Sequence, residues 1–123
     1  MALTQYINQQ RQWYRTIKST YCPALKEDVI FNSQGLRHLR YDGRGVARSK
    51  KEYHKRIKLL PSALNIVKSS PVFSSHDRRY KTEAKSQFVD YWSIRAVVGP
   101  REVLVTVILR RIGKGQIIFY SVF

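Results

Sequence analysis

The spacing of apolar residues changes from helical to alternating partway along the chain. Leu3, Tyr6, Ile7, Tyr14, Ile17 and Tyr21 recur at three-and-four intervals, with Thr4 as N-cap and Trp13 widening the stripe. This predicts an amphipathic helix that ends before Pro23, its apolar face packed in a core. Val29 to Phe31 is an apolar run too brief to classify. Asn32 or Ser33 then caps a short helix over Gln34 to Arg40, and Tyr41 to Ala47, with Asp42-Gly43 and Gly45, reads as a loop. Ser49-Lys-Lys-Glu52 is a capping-box pattern that starts a helix reaching about Leu60. Pro61 suits the first turn of the next helix, Ser62 to Lys68, and Ser69-Ser-Pro71 ends the helical region.

From Phe88 the period is two. Val89 to Val98, Val103 to Arg111 and Gln116 to Phe123 are rich in β-branched and aromatic residues, separated by the turn sequences Gly99-Pro-Arg-Glu102 and Ile112-Gly-Lys-Gly115. They predict a three-stranded antiparallel meander, with a fourth strand from Val72 to Ser74 or from the stretch around Tyr80. The expected fold class is α+β: N-terminal helices (1–70) packed on one face of a C-terminal antiparallel sheet of three to four strands (71–123), in one domain. The other sheet face is then free to bind. Trp92, Ile94, Ala96 and Val98 form the core side of the first long strand, and Tyr91, Ser93, Arg95 and Val97 the other. Strict alternation puts Tyr120 and Ser121 on opposite faces, so only one of them belongs to an open-face site. Arg110 and Arg111 carry the same ambiguity.

Charge narrows the function. The chain of 123 residues has 23 Lys plus Arg against 8 Asp plus Glu, a formal net charge of +15. Such an excess attracts polyanions, nucleic acid foremost. Nine cations fall between Gln34 and Leu60 against two acids, and apolar residues interrupt every group, as on faces of folded elements. The single cysteine, Cys22, excludes an intrachain disulfide and leaves no Cys/His zinc pattern. No signal-peptide pattern and no apolar run of membrane-spanning length are present, so the expected setting is cytoplasmic, or a target-cell cytoplasm entered as a toxin.

His38 is the strongest candidate for proton transfer, because imidazole titrates near working pH and RNA cleavage moves one proton off a 2′-hydroxyl and another onto the leaving 5′-oxygen. His54, among helix cations, and His76, in a polar linker, are weaker candidates. The carboxylates are scattered, with only Glu27 and Asp28 adjacent. Nuclease chemistry is therefore expected to need no metal and no cofactor.

Phe31-Asn-Ser-Gln-Gly-Leu-Arg-His38-Leu, a loop to Arg48, Glu52 with Arg56-Ile-Lys-Leu-Leu-Pro61, Tyr91-Trp-Ser-Ile, and Val107-Ile-Leu-Arg110-Arg-Ile-Gly-Lys-Gly115 leading to Phe119-Tyr-Ser121-Val follow one another in order. The series resembles the phage-barnase-like branch of the barnase, EndoU, colicin and RelE (BECR) nuclease superfamily. The resemblance spans roughly Asp28 to Phe123. It implies helices followed by an antiparallel sheet, and a metal-independent endoribonuclease, often a toxin that cuts tRNA or mRNA and is held by an acidic antitoxin or immunity protein. It assigns His38 as general acid or base, Arg48 and Arg110 to phosphate oxygens, and Tyr120 or Ser121 to positioning. Arg40, Arg44, Lys58, Arg78, Arg79, Arg95 and Lys114 are the expected phosphate-binding residues, and Gly43 and Gly45 let the backbone approach RNA. Two rivals remain at this level: an RNA-binding module without catalysis, and a basic protein that meets an acidic partner.

Overall fold

The computed structural model describes residues 3–81 and 87–123. The first helical stripe folds as α1, Leu3–Ile17, whose one fully buried side chain is Tyr14. Its hydroxyl donates a 2.7 Å hydrogen bond to the Asn32 carbonyl. The helix stops four residues before Tyr21, because Lys18 takes a left-handed φ of 64° and turns the chain into a strand, β1, Ser19–Cys22. Tyr21 fits the helical spacing, yet it is 54% exposed and pairs with Asp28. The local preference of Ser-Thr-Tyr-Cys for extended backbone, reinforced by pairing, prevails over the period. The short run that periodicity left unclassified belongs to β2, Glu27–Ile30, antiparallel to β1.

Three helices follow as their caps predict. α2, Ser33–Arg40, is capped by the Asn32 side chain, and α3, Lys50–Lys58, by Ser49 Oγ, which accepts from the Glu52 N–H at 3.1 Å. The Glu52 carboxylate turns instead to Arg56, at 2.9 Å. α4, Leu60–Ser69, begins with Pro61 in its first turn. Four strands complete the chain: β3 (Ser75–Lys81), β4 (Gln87–Val98), β5 (Val103–Ile112) and β6 (Ile117–Val122).

The architecture is α+β, with a six-stranded sheet in the order β1-β2-β6-β5-β4-β3. It is wider than the expected three or four strands because β1 and β2, from the helical half, join it beside β6. Every neighbouring pair is antiparallel except β2 and β6. α4 packs against β1, β4 and β5. Beneath it Trp92, Ile94, Val105, Val107, Leu109, Ile117 and Phe119 meet Ile57, Ala63, Ile66 and Val67 in one buried cluster. Each fully buried aliphatic side chain there contributes about 1.5–3 kcal/mol of transfer free energy. On the opposite face Arg79 and Arg95 are exposed, Tyr91 and Arg110 half-buried, and Ser93, Thr106 and Ser121 buried. No helix among the described residues is long and apolar enough to cross a membrane.

β2 pairs with β6 only at Val29↔Ile117 and Ile30↔Ile118. Beyond that point α2 takes the place of a strand beside β6. Gly35 permits the approach: a Cβ there would lie 2.5 Å from Tyr14 Oη, 2.6 Å from Phe119 Cδ2 and 2.8 Å from the Phe119 carbonyl oxygen. Overpacking against backbone relaxes poorly, so Gly35→Ala should cost about 1–3 kcal/mol despite its better helix propensity. Urea unfolding checks this, and a midpoint at or above that of the native protein contradicts it.

Candidate functional site

α2 carries two chemically useful side chains one turn apart, Gln34 and His38, on the side away from buried Leu36 and Leu39. Its C-terminal end is tied by the loop that follows. Tyr41 and Ala47 form a bridge, and the Asp42 carboxylate accepts from the Arg44 and Val46 N–H groups at 2.8 and 3.1 Å. Those bonds hold the Asp42 pKa below the ordinary carboxylate value. Gly45 takes the left-handed position of the loop, φ 79°. The loop delivers Arg48 back to α2: its N–H bonds the Arg40 carbonyl at 2.9 Å, and Nε and Nη2 donate to the His38 carbonyl at 3.3 and 3.2 Å. Two of the side chain's donor groups are thus committed to capping a helix end.

The opposing wall comes from an irregularity in β6. Leu109 pairs with Phe119 and Ile108 with Ser121, so Tyr120 is an extra residue without a partner on β5. This is a β-bulge, a device that re-aims side chains. Phe119 and Val122, three residues apart, pair with fully buried Leu109 and Val107 and are themselves fully buried. Both residues between them therefore lie on the Ile108 and Arg110 side. The expectation that Tyr120 and Ser121 point to opposite faces is corrected by this extra residue, which uniform alternation does not contain.

His38 and Tyr120 meet with ring centroids 3.9 Å apart and planes inclined by 37°. Tyr91 approaches Tyr120 edge-on at 5.6 Å. The Arg110 guanidinium carbon lies 4.5 Å from the Tyr120 centroid, and its Nη2 donates to Gln34 Oε1 at 3.0 Å. Among the described residues its buried Nε has no hydrogen-bond acceptor. Arg79 stands over Tyr91 at 5.1 Å, and an open depression of about 280 Å³ lies among Arg79, Tyr91 and Arg110. Burial, then the charges of Arg110, Arg37 and Arg48, lower the His38 pKa from its ordinary 6.5. Burial, followed by Tyr91, raises that of Tyr120, with Arg110 opposing. The cluster thus holds a neutral imidazole against a protonated phenol beneath cations: a proton acceptor, a proton donor and anion-stabilising groups in one place.

The other expected residues divide. Ser121 is buried beside the cluster, its Oγ accepting from Arg56 Nη1 at 3.0 Å. Arg79 and Arg95 are exposed on the open face, Arg79 also pairing with Asp77 at 2.8 Å. Ser93, on the same side of β4 as Arg95, is buried and bonded to Ser75. Arg78 turns to the Trp92 side, gripping buried Asp90 at 2.8 and 3.2 Å together with His76, because even-numbered β3 residues share that face. Arg111 points the same way, onto Trp92 and Glu27. Arg40 lies over Tyr53 at 5.0 Å. Arg44 is exposed with its guanidinium on Asp42, and Lys58 and Lys114 are exposed on α3 and the β5–β6 turn. Among the described residues no hydrogen bond or ring contact joins these three to His38, Arg110 or Tyr120.

Gln34, Tyr91 and Arg56 join the site unannounced. Gln34 was legible as the residue one turn before His38. Tyr91 needed the β4–β5 register, and Arg56 reads in sequence as the helical partner of Glu52. Neither family models, nor curated proteins, nor solved structures compared with this chain give a match.

A pH titration of the His38 imidazole resonances should give a midpoint below 6.5, and Arg110→Gln should move it upward. Because the folded state holds this proton less tightly than the unfolded chain, His38 lowers stability as pH falls through and below about 6.5. A midpoint at or above the ordinary value, unmoved by Arg110→Gln, contradicts the electrostatic description.

Proposed function

We propose that the chain is a metal-independent endoribonuclease, of the toxin type that cuts tRNA or mRNA, acting on a single strand laid across the open sheet face. The observation that carries this reading is the close ring contact of His38 with Tyr120 under Arg110, on a chain of net charge +15. Among the described residues the groups around His38 are guanidinium, phenol and carboxamide. These suit developing negative charge on a phosphorane.

In the proposed reaction neutral His38 takes the proton from a 2′-hydroxyl as its oxygen attacks the adjacent phosphorus. Arg110, oriented by Gln34, stabilises the non-bridging oxygens. The Tyr120 hydroxyl donates to the departing 5′-oxygen, leaving a 2′,3′-cyclic phosphate on one fragment and a 5′-hydroxyl on the other. His38 then returns its proton to Tyr120 through solvent or directly. Arg48 holds the α2 end and so positions His38, and Arg56 with Ser121 supports the bulged segment. The order of motifs that resembles BECR nucleases supports the roles given to His38 and Arg110, while it implies positioning for Tyr120 and a phosphate contact for Arg48, and the toxin setting includes an acidic antitoxin or immunity protein as partner.

Purified protein in EDTA, incubated with cellular RNA, tests the proposal. Fragments should carry 2′,3′-cyclic phosphate ends. His38→Ala should reduce the rate by about 10²–10⁴-fold while RNA binding persists, and Tyr120→Phe, which keeps the ring and removes the donor, by about 10²-fold or more. RNA that is bound and left intact by the native protein would leave a binding module instead.

A further inference from the structure

A second concavity, of about 880 Å³, lies on the neighbouring face of α2 and runs between that helix and α1. Its rim is cationic on both sides: Arg11 and Arg15 from α1 with Lys18 just after it, Arg37 and Arg40 from α2. Among the described residues no carboxylate lines it, and none of the five cations forms an ion pair. Arg37 and Arg40 are steadied on the rings of Tyr41 and Tyr53, at 5.4 and 5.0 Å. That contact leaves their charge without a counterion. The floor is apolar, with half-buried Ile7 and Ile30 beside Leu36.

The groove and the reactive cluster share α2, which carries Arg37 and Arg40 on the groove and His38 in the cluster. Successive helical residues are rotated by about 100°, so His38, Arg37 and Arg40 cover adjacent sectors of one exposed α2 surface. A chain leaving His38 crosses Arg37 and enters the groove. We infer that this groove binds the segment of single-stranded RNA flanking the cleaved linkage, its phosphates on the two cationic rims and an unstacked base against the apolar floor. The inference rests on the nuclease reading and adds to it that the preferred substrate extends several nucleotides beyond the cut.

The test compares native protein with Arg11→Gln/Arg15→Gln on a dinucleoside phosphate and on a single-stranded RNA dodecamer. Arg15→Gln/Lys18→Gln, at two exposed positions, is the second variant should the first fail to fold. The variants should raise KM for the dodecamer on the order of tenfold and leave dinucleotide kinetics unchanged. The log–log salt slope of dodecamer binding should fall by about 0.7 per lost phosphate contact. An unchanged KM and slope overturn the inference and leave the groove to an acidic protein partner, while the nuclease reading stands. If native protein cuts neither substrate, the nuclease reading fails, and the slope still decides the groove: reduced in the variants it supports RNA binding there, unchanged it overturns it.

Discussion

One extra residue in β6 governs the arrangement of the candidate site. A strand that alternates strictly can bury Phe119 or Val122 in the core, but not both, since they are three residues apart. The hydrophobic term decides the matter: both side chains are fully buried against β5, and the chain accommodates them by giving up one ladder position at Tyr120. The surplus length emerges on the far face as an aromatic ring and a hydroxyl side by side. The bulge also falls where β2 has ended and α2 has come alongside, so the ring meets His38 rather than solvent.

The second requirement is a helix held close. Gly35 lets α2 touch the β6 backbone, Asn32 caps its start, and Arg48 closes its end on the His38 carbonyl. Each of these fixes the backbone around His38 without using the imidazole. The ring is left to its electrostatic surroundings, which are those of a half-buried base among arginines. A phosphate entering such a place gains from every cation that disfavours imidazolium, and by neutralising them it eases protonation of His38. Occupancy by a phosphate and the proton affinity of His38 are thereby coupled through the same charges.

Much of this was legible in sequence, for physical reasons that can be named. Helix caps are local, so Asn32, Ser49 and Pro61 mark their helices correctly. The meander of β4, β5 and β6 follows from alternation and turn chemistry. The width of the sheet does not, because β1 and β2 are short and the β6 strand that joins β2 to the sheet lies some ninety residues onward. His38, Arg110 and Tyr120 were singled out, and the structure brings them together. The shared face of Tyr120 and Ser121 could not be read, since nothing in Phe-Tyr-Ser-Val announces a bulge. Arg48 was assigned to phosphate, but a capping role for its guanidinium is visible only once the loop closes. Arg78 and Arg79 look equivalent in sequence, yet a period of two sends them to opposite faces.

The most direct test of this account is the His38 imidazole itself, followed by NMR in labelled protein as an uncleavable 2′-O-methyl RNA oligonucleotide is added. The account predicts that the His38 resonances shift on binding and that their titration midpoint rises, as phosphate charge offsets Arg110, Arg37 and Arg48. An oligonucleotide that binds while the His38 resonances and midpoint stay where they were would place the ligand elsewhere and contradict the site described here.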